Sequence, residues 1–177
     1  MRYIDKSNRC AEFDEYVNND SPSVWDEFKT DIKLKLHQHL FCSQQGLCIY
    51  CQQEVPEKKE TEYRIRSHIE HIRPRSRPQY AHKFLNPVEC NEIEDYFVYD
   101  IEGKIHPNSS KNQEDRTKAE YMISILDLNH SKLTDIRKEQ YQLIIEQQEK
   151  GLDIEEFLNP HYDLLPAFYA MLKQLFL

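Results

Sequence analysis

Apolar residues recur along this 177-residue chain mostly three or four positions apart, with short alternating runs near the middle. Trp25, Phe28, Ile32, Leu36 and Leu40 form one such stripe, which predicts a helix running to about Phe41. Ser21 is placed as its N-cap and Pro22 as its first helical residue. Tyr3 and Ile4 read as a short strand or an anchor. Residues 64–72 alternate and predict a strand, which Pro74 prevents from continuing. Residues 92–106 predict a hairpin, turning at Asp100-Ile101-Glu102-Gly103 and ended by Pro107. After a polar loop from 108 to 115, a helix is expected over 117–128, with Tyr121, Ile125 and Leu128 on one side. Ser131 is expected to cap the next helix, which runs to Lys150 and stops at Gly151. The stretch beginning Arg137-Lys138-Glu139-Gln140 reads as its solvated face. A last helix is expected over 164–177, apolar on most of its surface. Packing in its own core and docking onto a partner subunit both remain open for it.

With three glycines and this periodicity, the expected fold class is α+β and predominantly helical. The net charge of −8 argues against a free-standing nucleic-acid binder, but the charge is uneven. Residues 58–83 hold eight Lys/Arg against three Asp/Glu, a balance of +5, which leaves −13 for the remainder. Five cysteines, two of them at metal spacing, suit a reducing cytoplasm better than a disulfide framework. The N-terminus shows no signal-peptide pattern and no apolar run is long enough to span a bilayer, so the expected location is cytoplasmic.

The basic island contains the chain's densest chemistry, Ser67-His68-Ile69-Glu70-His71-Ile72-Arg73-Pro74-Arg75-Ser76-Arg77-Pro78. At the end of a strand, Glu70 and His71 can splay around one ion. Glu70 then binds a divalent metal, and neutral His71 takes the proton of the attacking water. The metal offsets charge on a phosphate and steadies the leaving oxygen. Arg73, Arg75 and Arg77 are placed to hold backbone phosphates. His68 is a further candidate for a metal or phosphate contact, or a satisfied structural histidine. Ahead of this stretch, Cys48-Ile49-Tyr50-Cys51 puts two thiolates at the spacing that holds one tetrahedral Zn2+ from a tight turn. The same spacing also serves redox chemistry, or no ligand at all.

Cys48-Ile49-Tyr50-Cys51 followed by His68-Ile69-Glu70-His71-Ile72-Arg73-Pro74-Arg75-Ser76 resembles the first half of the HNH (ββα-metal) endonuclease motif. More narrowly, it resembles the PtuB-type HNH proteins of Septu and retron-linked antiphage defence systems. Met1-Arg2-Tyr3-Ile4-Asp5-Lys6, Phe84-Leu85-Asn86-Pro87-Val88-Glu89, Tyr96-Phe97-Val98-Tyr99-Asp100 and Ile125-Leu126-Asp127-Leu128-Asn129, with Arg137 beyond, agree with that family. The resemblance implies His71 as general base and Glu70 as ligand to a catalytic Mg2+ or Mn2+. It makes Cys48 and Cys51 half of a structural zinc site. It also implies a hetero-oligomer with a PtuA-type ATPase, acting on nucleic acid, DNA ahead of RNA. The expected organisation is a helical segment over 1–45, an HNH-like module with its hairpin over 46–107, and a helical region over 108–177.

The chain departs from the family after Pro74. Such proteins continue through an Asn-Leu element and a second cysteine pair followed by asparagine, whereas Gln79-Tyr80-Ala81-His82-Lys83 runs directly into Phe84-Leu85-Asn86-Pro87. Asn86, next to Pro87, is assigned a structural role. Either the second half of the motif is lost, or a loop near 78–83 is absent from this sequence. Two functions are therefore carried forward. One is a metal-dependent endonuclease subunit, and the other a zinc-stabilised adaptor with a degenerate site that binds nucleic acid or the ATPase. A redox protein built on Cys48 and Cys51 is a weaker third, because no thioredoxin-like strand and helix surround them.

Overall fold

A computed structural model describes residues 1–5, 7–56 and 84–177. The expected strand over 64–72 lies outside these residues. The described elements are α1 (Ala11–Asp20), α2 (Thr30–Ser43), β1 (Phe97–Tyr99), β2 (Ile105–Pro107), α3 (Gln113–Ile125), α4 (Ser131–Glu149), α5 (Ile154–Phe157) and α6 (Tyr169–Phe176). The fold is α+β and predominantly helical, with β1 and β2 paired antiparallel in one two-stranded sheet.

The N-terminal apolar stripe is divided rather than continuous. Ser21 does not start a helix; it ends α1 in the left-handed region, at φ 46°, where its amide bonds Val17 O. Trp25–Glu27 forms a single 3-10 turn, and α2 begins only at Thr30. Local bonding explains the break. The Glu27 carboxylate accepts from the Ser23 amide at 2.6 Å, closing the chain on itself. Phe28 then stacks on Phe13, with ring centroids 5.4 Å apart, and lies 5.2 Å from the Trp25 ring. Trp25 and Phe28 thus fasten the α1–α2 pair instead of extending one long helix.

The main core is built from β1, β2, α3, α4 and α6, with Ile93, Phe97, Ile105, Met122, Leu128, Met171 and Leu172 all fully buried. Each such aliphatic or aromatic side chain contributes roughly 1.5–3 kcal/mol by leaving water. The β1–β2 turn falls where expected, and Pro107 is the last paired residue, opposite Phe97. Asp100 organises this turn. Its Oδ1 accepts from the amides of Glu102 and Lys104, and its Oδ2 meets His106 Nε2 at 2.7 Å. Asn129 holds β2 from the other side, accepting from Ile105 N and donating to Ile105 O.

The C-terminal half departs from expectation at its helix ends. Helix α3 starts at Gln113 because the Asn112 side chain accepts from Asp115 N at 2.9 Å. The cap of α4 is His130 rather than Ser131, its Nδ1 accepting from Lys132 N. The last helix is limited to Tyr169–Phe176. Leu164 to Phe168 is not helical: Pro166 disfavours helix at the residue before it, and Phe168 is left-handed at φ 59°. Tyr169, Ala170, Met171 and Leu172 are buried in this chain's own core, which favours the packing alternative over docking for that face.

The larger correction concerns Arg137. Helical position suggested solvent, yet Arg137 is 1 % exposed. Its Nη1 donates to Leu128 O at 2.7 Å and to Gly103 O at 3.1 Å. The guanidinium also lies over the Tyr99 and Phe168 rings, 5.8 and 5.7 Å from their centroids. Burial lowers its pKa, but an arginine starts so high that it stays charged. Bonds from a charged donor contribute about 1.5–3 kcal/mol each, and each ring adds about 0.5–2. Gly103 allows this approach. At φ +79° a Cβ there would sit 2.2 Å from Thr134 O. Gly103→Ala is therefore expected to destabilise the protein by about 2–4 kcal/mol, read as a lower urea midpoint at unchanged slope. An unchanged midpoint would refute the close packing of the hairpin on α4.

Candidate metal-binding turn

Helix α2 ends in a tight ribbon that carries both cysteines. Gln45 and Gly46 turn the chain at positive φ. Leu47 and Glu54 then bridge antiparallel, Cys48 N donates to Gln53 O at 2.8 Å, and Val55 N to Gly46 O at 2.7 Å. Between these rungs, Gln52 N donates to Cys48 O at 3.1 Å and closes the loop around the pair. The two-residue spacing thus becomes a knuckle that holds both cysteines in one tight turn, close enough for each thiol to shift the other's titration, with the Cys51 thiol 3.7 Å from Gln53 Oε1.

The surroundings favour a thiolate at Cys48. The bond from the Cys51 thiol, together with the amides of Cys51, Tyr50 and Gln52, outweighs partial burial and pulls Cys48 down to about 6. Cys51 is pushed the other way, first by sharing its proton with Cys48, then by burial and by the neighbouring charge. A divalent ion of zinc's softness, if bound, would take the place of that proton and serve both sulfurs. The donor set of the turn therefore fits a thiolate-bound metal such as zinc. It supplies two ligands of the usual four, and no group of three or more His, Cys, Asp or Glu poised for a metal occurs among the described residues.

The turn is built into the core by a residue that sequence reasoning passed over. Gln52 is 2 % exposed and left-handed, at φ 63°. For a residue with a side chain this conformation costs about 1–2 kcal/mol, and glycine is the usual occupant. Gln52 O accepts from Phe168 N at 2.8 Å, and Gln52 Oε1 accepts from Ala170 N at 2.9 Å. Those are amides in the first turn of α6 and just before it, which Phe168, as N-cap, has no side-chain acceptor to satisfy. Two residues earlier in the ribbon, Tyr50 and Phe84 meet edge to face, with centroids 5.9 Å apart. Nothing in composition or spacing distinguishes Gln52 from its neighbour Gln53. The one available signal is position: it follows a Cys-x-x-Cys, where the chain has to turn.

Of the residues expected to carry chemistry, Cys48 and Cys51 are brought together. Glu70, His71, His68, Arg73, Arg75 and Arg77 lie outside the described residues. Asn86 sits in a turn, its Oδ1 accepting from Val88 N and its carbonyl from Glu89 N and Cys90 N, in keeping with a structural role. An apolar cleft of about 470 Å3 flanks the ribbon, lined by residues such as Phe41, Gly46, Val55 and Leu164, with Glu54 as its charged group. Those residues do not make a phosphate site. No family model matches the chain, and no curated protein matches it.

The proton shared by the two thiols gives a chemical test. In metal-free protein, iodoacetamide is expected to modify Cys48 ahead of Cys51 at pH 7, since the thiolate is the nucleophile. The Cys48 rate should fall as pH drops below about 6. Peptide mass spectrometry reads both. Equal labelling of the two cysteines at pH 7 would contradict the shared-proton arrangement.

Proposed function

We propose that the protein is a metal-dependent HNH-type endonuclease subunit that hydrolyses phosphodiester bonds in nucleic acid, working with a PtuA-type ATPase in antiphage defence. The observation that carries the reading is the conjunction of a thiol-bearing knuckle with Glu70-His71 and trailing arginines downstream in the same chain. The knuckle is supported by geometry: both cysteines lie in one tight turn closed by the Cys48 N–Gln53 O, Gln52 N–Cys48 O and Val55 N–Gly46 O bonds. The pairing with Glu70-His71 is supported by sequence alone.

In this reading His71 accepts the proton of a water, and Glu70 would be a ligand to a divalent metal ion. When bound, a divalent Mg2+ or Mn2+ supplies Lewis-acid stabilisation of the phosphate. Arg73, Arg75 and Arg77 hold the flanking phosphates, and His68 stands beside them as a metal or phosphate contact. Cys48 and Cys51 carry a structural Zn2+. The charge pattern is consistent with a partner that delivers substrate. A basic island of +5 lies in a chain otherwise at −13, which by itself attracts a polyanion poorly. DNA is the favoured polymer over RNA.

A second reading is kept because of one observation: the sequence after Pro74 lacks the asparagine and second cysteine pair of the family. In that reading the protein is a zinc-stabilised adaptor binding nucleic acid or the ATPase. One assay separates the two. The purified chain, alone and with the ATPase, is given DNA and RNA with Mg2+ or Mn2+, next to His71→Ala. The nuclease reading expects cleavage that falls by about 100-fold or more in His71→Ala, the size of general-base assistance. Cleavage equal in both proteins would reject His71 as the base. Complex formation without any cleavage would select the adaptor.

A further inference from the structure

A polar side chain held in a left-handed backbone and buried needs a reason. At the position after Cys51 glycine would serve the turn with less strain. A merely satisfied core glutamine also fits the burial, but it leaves the choice of φ 63° for a residue with a side chain unexplained. The partners of Gln52 supply the explanation. Its backbone and side chain serve different atoms of the turn and of the helix at once. Its amide donates to Cys48 O, its carbonyl accepts from Phe168 N, and its Oε1 accepts from Ala170 N. The other end of the ribbon holds the same distant segment, with Gln45 O accepting from Leu165 N at 3.1 Å. Behind the turn, Phe168 presses its ring against the guanidinium of Arg137. A line of contacts therefore runs from Cys48 through Gln52 and Phe168 to Arg137, and from there to the β1–β2 turn and the end of α3.

We propose that Gln52 is a positioning residue that couples metal binding at the Cys48–Cys51 turn to the packing of α6: metal fixes the turn in which Gln52 caps the helix, and the capped helix holds the turn ready for metal. The inference rests on the reading that this turn holds a metal. Coupling of this kind is reciprocal, so whatever metal does for α6, α6 does for metal affinity. The conformational cost of closing the turn is then met partly by a helix more than a hundred residues away. The distance in sequence is large, with 118 positions separating Gln52 from Ala170.

The test uses the full chain as wild type and as Gln52→Gly, which accepts the left-handed backbone, keeps the carbonyl bond and removes the side-chain cap. Gln52→Asn, tolerant of the same backbone but one methylene short, runs beside it and is expected to behave alike. Co2+ is the probe metal, its thiolate charge-transfer band reporting binding, and hydrogen exchange of the α6 amides reports coupling. In wild type, Co2+ is expected to slow exchange at Ala170, Met171 and Leu172 by roughly tenfold, the scale of one hydrogen bond, with little change in α1. In both variants the band should persist while the slowing shrinks to about threefold or less. A Co2+ band with equal slowing in all three proteins, or with none in wild type, overturns the coupling and leaves the metal reading standing. No Co2+ band in wild type overturns the metal reading, and the coupling with it.

Discussion

The buried guanidinium of Arg137 is the constraint around which the described structure closes. A cation in a protein interior is tolerated only when its donors and its surroundings offset the loss of water. Here two carbonyls and two aromatic faces do so, and they come from different elements. Gly103 belongs to the hairpin turn, Leu128 follows α3, Tyr99 lies on β1, and Phe168 precedes α6. The hairpin can approach α4 because position 103 has no Cβ. Phe168 is at once the ring under Arg137 and the left-handed residue whose amide binds Gln52. The thiol-bearing turn is thus fixed to the core through the same residue that shields the charge.

This arrangement explains how a turn with two half-buried cysteines is held although, among the described residues, no regular sheet surrounds it. Its own rungs are few: a single bridge, made by two backbone bonds, and one further bond from Gln52 N to Cys48 O. Most of its support is remote: Gln45 and Gln52 grip the 165–170 segment, and Tyr50 packs on Phe84. A metal at the thiols would add a cross-link to a turn already held to the core through Gln52. The chemistry proposed for Glu70 and His71 depends on such a scaffold, since a base and a metal ligand act only where their geometry is held.

Much of the fold was legible in the sequence where a local rule decides the outcome. The Asp100–Gly103 turn followed from a glycine at the one position that needs φ +79° and an aspartate able to accept two amides. The extent of α4 was legible to within a residue at each end, from the start signal at Ser131 and the stop at Gly151. What failed was decided by side-chain bonds and packing that apolar periodicity does not carry, some of them local and some between residues distant in sequence. Trp25 and Phe28 had helical spacing with Ile32, yet stacking on Phe13 and the Glu27 bonds to Ser23 broke that helix. Arg137 looked like one of several charges on a wet face, and only the hairpin and the Phe168 ring put it inside. The candidate site divides in the same way. Cys48 and Cys51 were legible because metal spacing is a local signal, while Gln52 was not, because its role is written in the amides of a helix at the other end of the chain.

The claim on which this account turns is that the Cys48–Cys51 knuckle holds a metal by its sulfurs. Zinc K-edge X-ray absorption on the purified chain, with metal content measured on the same sample, tests it most directly. The account predicts about one zinc per chain with sulfur neighbours at about 2.3 Å, and loss of that sulfur shell in Cys48→Ser/Cys51→Ser. Zinc-free protein, or zinc whose neighbours are only nitrogen and oxygen, would contradict it.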